Sequence, residues 1–364
     1  MTAVTIPSRG DLTNVKTIVA GVILVLLPFG MRPAQGANPG AHRKARRPKK
    51  SQLANKAQPS KAQQPNYDAL AVNDPQNHPD LTAEGIGSSV VRLEILLDRA
   101  HFSPGEIDGQ FGDNLRVALA GYQSARNLEK TGSADQATWQ SLNADTASPL
   151  VPYTISSDDV TGPFDPISHD MMARDKLKHL GYQSLQEELG ERFHIKPELL
   201  VALNRDKDLT KAGEQILVPN VQREYVLPAD KVVVSKSTHT VSAFAGDGML
   251  LAQYPATMGS EHDPLPVGNW AITGVQQNPV FHYNPAFFWD AKPKDEKAEI
   301  APGPNNPVGL VWIALSKEHY GIHGTPEPGK IGHTESHGCI RLTNWDAQEL
   351  AHMVKSGTPA ILAE

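Results

Sequence analysis

This sequence predicts a multidomain α+β chain: helical segments first, a small mixed unit after them, and a mainly β region at the C-terminus. Three observations predict it. The 364 residues are about twice the usual length of one domain. Apolar residues recur at helical spacing between Val90 and Leu142. After Lys231, short runs of β-branched and apolar residues alternate with polar turns.

Charge is divided unevenly. Residues 1–60 carry ten Lys/Arg against one acid, whereas the remainder carries 24 against 39. A folded region this acidic excludes nucleic acid as the expected partner, because phosphate binding needs clustered cations. Cys339 is the only cysteine, so an intramolecular disulfide, a CxxC redox pair and a multi-cysteine zinc site are all excluded.

Residues 1–36 have the order of an export signal: Arg9 and Lys16, the apolar run Ile18–Phe29, then Ala34-Gln35-Gly36. The run is shorter than the roughly 20 apolar residues of a membrane span, so none is expected in the mature chain. An exported protein of the periplasm or cell wall is the expectation. Residues 37–84 are basic and then rich in Gln, Ala, Asn and Pro, a composition that cannot bury enough apolar surface to fold and that reads as a linker.

Within 85–145, Val91, Leu93, Ile95, Leu96 and Leu97 mark a first helix that His101–Gly105 ends. The turn Asp108-Gly-Gln-Phe-Gly112 follows. A second helix carries Leu115, Leu119 and Tyr122-Gln123, and after Thr131-Gly132 a third carries Thr138, Trp139 and Leu142. These features resemble the three-helix peptidoglycan-binding domain. Residues 146–175 read as a linker. Within 176–222, Leu185, Leu189 and Phe193 share a helical face, Pro197 opens a second helix, and Ile216–Pro219 closes as a strand. This unit resembles a LysM module, although the Gly-Asp-Thr turn after that family's first strand is missing. Either resemblance implies contact with glycan.

From 225 to 364 the strands are expected at Lys231–Val234, Thr240–Phe244, Met249–Ala252, Trp270–Thr273, Val311–Leu315, Cys339–Leu342 and Ala360–Ala363. Asn344 reads as the N-cap of a helix over 345–355. Here Ile322-His323-Gly324-Thr325 is followed, thirteen residues beyond His323, by Ser336-His337-Gly338-Cys339-Ile340-Arg341. An unperturbed thiol is mostly protonated at neutral pH and needs an imidazole or a cation to become a nucleophile. His323 and His337 are both at hand. Glycines beside each let the backbone approach a substrate and point N–H groups at a developing oxyanion. Strand alternation places Arg341 on the face of Cys339, where it could anchor a carboxylate. A zinc site from His323, His333, His337 and Cys339 is the weaker reading, since three histidines would have to converge from one loop.

This signature is similar to that of the L,D-transpeptidase catalytic domain, and Pro264–Gly268 and Asn306–Gly309 match its context. The resemblance implies a mainly β, sandwich-like fold with the catalytic strand at one edge and no metal or cofactor. It implies Cys339 as nucleophile and His323 as its base. His337 and Gly338 would lie at the oxyanion site, with Ser336, Gly324, Thr325 and Arg341 near the substrate. The implied reaction acylates Cys339 with a peptidoglycan stem tetrapeptide, releases D-Ala, and passes the acyl group to a diamino-acid amine as a 3→3 cross-link. Water (a carboxypeptidase or hydrolase) or an outer-membrane lipoprotein are the alternative acceptors. A wall-binding scaffold without catalysis is the reading of a different class.

Overall fold

The computed structural model describes residues 67–82, 85–222 and 227–364. The expected export signal and residues 37–66 of the expected linker lie outside them, whereas 67–82, also expected as linker, is folded: it carries a short helix whose Val72 is buried in a hydrophobic core. Among the described residues, no helix is long and apolar enough to cross a membrane.

After a short helix α1 (Ala69–Asn73), the helical module comprises α2 (Ser88–Arg99), α3 (Asp113–Ala125) and α4 (Gln136–Leu142). Gln123 explains why Tyr-Gln and Thr-Gly stood out in the sequence. Its fully buried amide donates to Thr131 Oγ1, Ser133 O and Thr138 Oγ1 and accepts from Gly132 N, tying α3 to the turn and to α4. Helix α2 is apolar on two sides. Val90, Leu93, Leu96 and Leu97 face the helical module's own core, while Val91 and Ile95 belong to the core of the next unit.

That next unit is larger than the sequence suggested. Strand β1 (Leu150–Thr154) pairs antiparallel with β2 (Gln215–Pro219), Leu150 opposite Pro219. Between them run α5 (Met171–Arg174), α6 (Leu185–Arg192) and α7 (Pro197–Leu203). The stretch 146–175, expected as a linker, therefore carries a strand of the folded unit. Ser184 caps α6 by accepting from Glu187 N (3.1 Å), and Pro197 sits in the first turn of α7, where its missing N–H costs nothing. Asn204 locks α7 to β2, donating to Leu200 O and Leu217 O and accepting from Leu217 N.

The C-terminal region contains β3 (Lys231–Ser235), β4 (Thr240–Phe244), β5 (Leu250–Pro255), β6 (Thr257–Met258), β7 (Gly268–Gln277), β8 (Phe281–Tyr283), β9 (Ala298–Ile300), β10 (Val311–Leu315), β11 (Gly321–His323), β12 (Ile340–Arg341), α8 (Asn344–Met353) and β13 (Pro359–Ala363). Strands β8 and β9 pair only with each other. The others form one sheet in the order β5-β4-β3-β13-β7-β10-β11-β12-β6. Its outermost strands, β5 and β6, are separated in sequence by Ala256 alone, so the sheet bends round until its two edges approach each other. The core includes Val232, Val241, Tyr254, Ile313, Ile322, Ile340 and Leu350, all essentially inaccessible.

Two expectations need correcting here. The strand after Cys339 is not at an edge, since β12 pairs parallel with β11 and antiparallel with β6. The cap of α8 is Thr343, whose Oγ1 accepts from Asp346 N (3.1 Å), and not Asn344. Asn344 is buried within the first turn, and its amide serves neighbouring loops instead.

The modules are pressed together. Segment 101–103 of the helical module lies along β5, with Gln253 N donating to His101 O and Ser103 N to Gln253 O, both at 2.9 Å. Ser103 Oγ reaches Asp346 (2.8 Å) and His101 Nδ1 reaches Glu349 (2.6 Å). The β1–β2 unit contributes His194, stacked on Trp345 with ring centroids 4.9 Å apart. It also contributes Glu187, bonded by Asn305 (2.6 Å), and Glu191, bonded by Asn344 Nδ2 (3.2 Å).

Glu191 yields a stability prediction. Burial pushes its carboxyl up to about 8, against the bond from Asn344 and helped by the charges of Glu187 and Glu106. Between its unfolded pKa and about 8 the folded chain holds a proton that the unfolded chain has released. This group therefore makes stability fall as pH rises through that window. Glu191→Gln keeps an acceptor for Asn344 and removes the titration. The variant should gain on the order of 2–4 kcal/mol over wild type at pH 8 and little at pH 4. Urea unfolding of both chains at the two pH values checks this; parallel pH slopes would refute it.

Candidate active site

The candidate residues come from the two short parallel strands β11 and β12, from the loop that leaves β11 after His323 and from the turn that enters β12 through Cys339. His323 ends β11 and lies directly opposite Arg341 of β12. His323 is 3% exposed and its ring stacks on Trp312 of β10, with centroids 5.4 Å apart and planes 20° from parallel. Its Nδ1 lies 2.7 Å from Gly324 O. A carbonyl can only accept, so Nδ1 carries the proton and Nε2 keeps its lone pair in the neutral ring. Burial first, then the positive charge of Arg341, pushes the imidazole down to about 3. It rests neutral, with the tautomer a base requires.

Ser336, 4% exposed, clips the loop before Cys339. Its Oγ donates to Cys339 O (2.6 Å) and accepts from Gly259 N (2.7 Å), while its own N–H donates to Gly259 O (3.0 Å). Gly338 has φ +93°, in the left-handed region, and a Cβ there would stand 2.8 Å from the Tyr320 ring. His337 Nε2 is 2.9 Å from Asp290 Oδ1, and its ring lies beside Phe288 and Trp289. Its Nδ1 is buried with no hydrogen-bond partner among the described residues.

The thiol of Cys339 donates to His319 O at 3.7 Å. Neither imidazole is hydrogen-bonded to it. Burial pushes the thiol up, against the pull of a backbone bond at Gly321 and the charge of Arg341. Burial likewise lowers Arg341, whose charge faces Cys339, Glu327 and Asp290. The resting site therefore holds a thiol and a neutral imidazole instead of an ion pair. Alkylation of Cys339 by iodoacetamide should rise about tenfold per pH unit from 7 to 9 without levelling off. Because the chain has one cysteine, the adduct is unambiguous by intact mass. A plateau below pH 8 would mean a preformed thiolate.

Gly324 and Thr325 lead into the loop 325–335, a lip between the two halves of the signature. Thr325 is buried and its Oγ1 accepts from Glu327 N (3.3 Å). His333 is exposed on this lip, apart from His323, His337 and Cys339, and these four form no metal-holding group. Sequence reasoning missed four neighbours of the site: Asp290, Tyr320, Glu327 and Asn344. Asn344 Oδ1 accepts from Leu310 N (3.1 Å), and a Cβ at Gly309 or Gly324 would collide with it. The Asn-Pro-Val-Gly run had signalled Gly309 without saying what approaches it.

Comparison with known proteins supplies the family. The L,D-transpeptidase catalytic domain (YkuD) matches residues 229–362, and a peptidoglycan binding domain matches 86–142. A homologue named L,D-transpeptidase YkuD, from Bacillus licheniformis, is 33% identical over 147 residues, 40% of this chain and 73% of that protein. The Bacillus subtilis homologue of that name is 32% identical over 148 residues, 40% and 73% of the two chains. L,D-transpeptidase 3 from Mycobacterium tuberculosis, with a faropenem-derived adduct, aligns over 41% of this chain and 66% of its own. That alignment has 20% identity and a TM-score of 0.31. These matches define the class: an L,D-transpeptidase catalytic domain preceded by a peptidoglycan-binding domain. The chain belongs to the L,D-transpeptidase family.

Proposed function

We propose that this protein is an exported peptidoglycan L,D-transpeptidase in which Cys339 is acylated by a stem tetrapeptide and His323 moves the proton. The observation that carries the reading is the His323 tautomer. Nδ1–H is committed to Gly324 O, and Nε2 is left as an acceptor in a buried site shared with Cys339 and Arg341. His323 takes the thiol proton as sulfur attacks the carbonyl carbon of the residue preceding the terminal D-Ala. The C–N bond to D-Ala breaks, D-Ala leaves as its amine carrying that proton, and a thioester remains. The amine of a second stem attacks the thioester, giving a 3→3 cross-link and the free thiol.

The backbone N–H groups around Gly338 form the side on which the carbonyl oxygen becomes an anion, and His337, held through Nε2 by Asp290, walls that side. Donors of this kind contribute about 3 kcal/mol to such a step. Arg341 supplies the positive field for a substrate carboxylate, and Ser336 holds the nucleophile's loop. The helical and LysM-like modules add weak wall contacts that raise the local concentration of an insoluble substrate. An outer-membrane lipoprotein lysine is the alternative acceptor.

Incubating the full chain with disaccharide tetrapeptide and following products by mass spectrometry tests this. A dimer lacking one D-Ala supports the transpeptidase. Tripeptide alone would assign water as acceptor, and no loss of D-Ala would refute the reading.

A further inference from the structure

The lip is held from outside its own domain. Asn114, the second residue of α3 in the helical module, donates its amide to Ile331 O at 2.9 Å. The same side chain fills the space beside Gly332, whose φ is +81° and at which any Cβ would collide with Asn114 Oδ1. One turn earlier in the lip, a Cβ at Gly329 would stand 2.9 Å from the carboxylate of Glu106, again in the helical module. Gly105, next to Glu106, packs against the Asn114 amide in turn. Two glycines of the lip are thus the places where the helical module comes closest.

On its other side the lip is tied to the sheet, with Gly332 N donating to Thr257 Oγ1 (3.0 Å). Thr257 Oγ1 also donates to Lys330 O (3.4 Å), and the other bonds within the lip are local turns. Among the described residues, the Asn114 amide is the side-chain hydrogen bond that fixes the lip to the helical module. The lip begins at Thr325, two residues after His323, carries Glu327 toward Arg341, and runs four residues past Gly332 into the Ser336 clip.

We propose that Asn114 is a positioning residue for the active site: through Ile331 and Gly332 it sets the lip that borders Cys339 and Arg341, so the helical module shapes substrate binding as well as contacting the wall. This rests on the proposed transpeptidase activity for its kinetic part but not for its structural part. A stem peptide enters a cleft whose lip is already placed and need not order that loop on binding.

The test uses the full chain and Asn114→Ala. Amide hydrogen exchange in peptides covering 325–335 should speed at least tenfold, while exchange in β10 and β13 stays unchanged. KM for the tetrapeptide should rise about tenfold with kcat within threefold, and alkylation of Cys339 should keep its wild-type rate. Gly332→Ala, which pushes the lip off an intact Asn114, should reproduce the KM rise. Unchanged lip exchange in a folded Asn114→Ala chain would overturn the proposal. So would a global rise in exchange, which marks Asn114 as a stability residue only. Faster lip exchange without a KM change would overturn the positioning role. Inactivity of the wild-type chain would instead defeat the transpeptidase reading while leaving the exchange result to judge the clamp.

Discussion

Cys339→Ser is expected to lower D-Ala release, the first step of the proposed reaction, by about 10³-fold or more while the protein keeps its fold. The thiol already sits in a site that disfavours its anion, because burial raises it and Arg341 only partly offsets that. A serine hydroxyl, far less acidic and a weaker nucleophile, would have to ionise in the same surroundings. Replacing sulfur by oxygen removes no packing that the core depends on, since the side chain meets the carbonyl of His319 and the loop is clipped through the Cys339 backbone carbonyl. Release measured by mass spectrometry, with thermal unfolding as the control, decides the matter. Turnover within tenfold of wild type would remove Cys339 from the mechanism.

His323→Asn is expected to cost kcat about 10²–10⁴-fold, the usual contribution of a positioned general base. Asparagine places an amide near the position of Nδ1 and can still donate to Gly324 O, but it offers nothing at Nε2. Alkylation of Cys339 by iodoacetamide should persist at the wild-type rate at pH 9, where hydroxide takes the proton. The thiol at rest has no bond to His323 that the substitution could break. If alkylation and turnover fell together, the imidazole would be activating the resting thiol, contrary to a neutral thiol–imidazole pair.

The candidate residues were legible because they are nearly contiguous. Ser336 to Arg341 form one turn and one short strand, and His323 lies at the end of the strand that pairs with it. What surrounds them comes from far along the chain and leaves no periodic trace. Asp290 reaches His337 from a hairpin 47 residues earlier, and Glu191 reaches Asn344 across 153. Asn344 itself was misread for a local reason: Thr343-Asn344 offers two good caps in a row, and the first one took the role. Strand β1 was missed because Pro152 interrupts a five-residue run whose partner lies some sixty residues away. The fusion of modules through α2 was visible only as an unusual density of apolar residues. Val90 to Leu97 reads equally well as one broad helical face or as two narrow ones.

The segment 101–103 laid along β5 has a consequence for how the protein behaves as a molecule in solution. An outer strand with open N–H and C=O groups invites pairing with the same strand of another copy, and proteins commonly cover such strands. Here the cover comes from the helical module, through the bonds between Gln253, His101 and Ser103. A fragment cut down to residues 227–364 would present β5 bare. That strand would then be open to pairing with another copy, so the helical module also serves as a guard against aggregation.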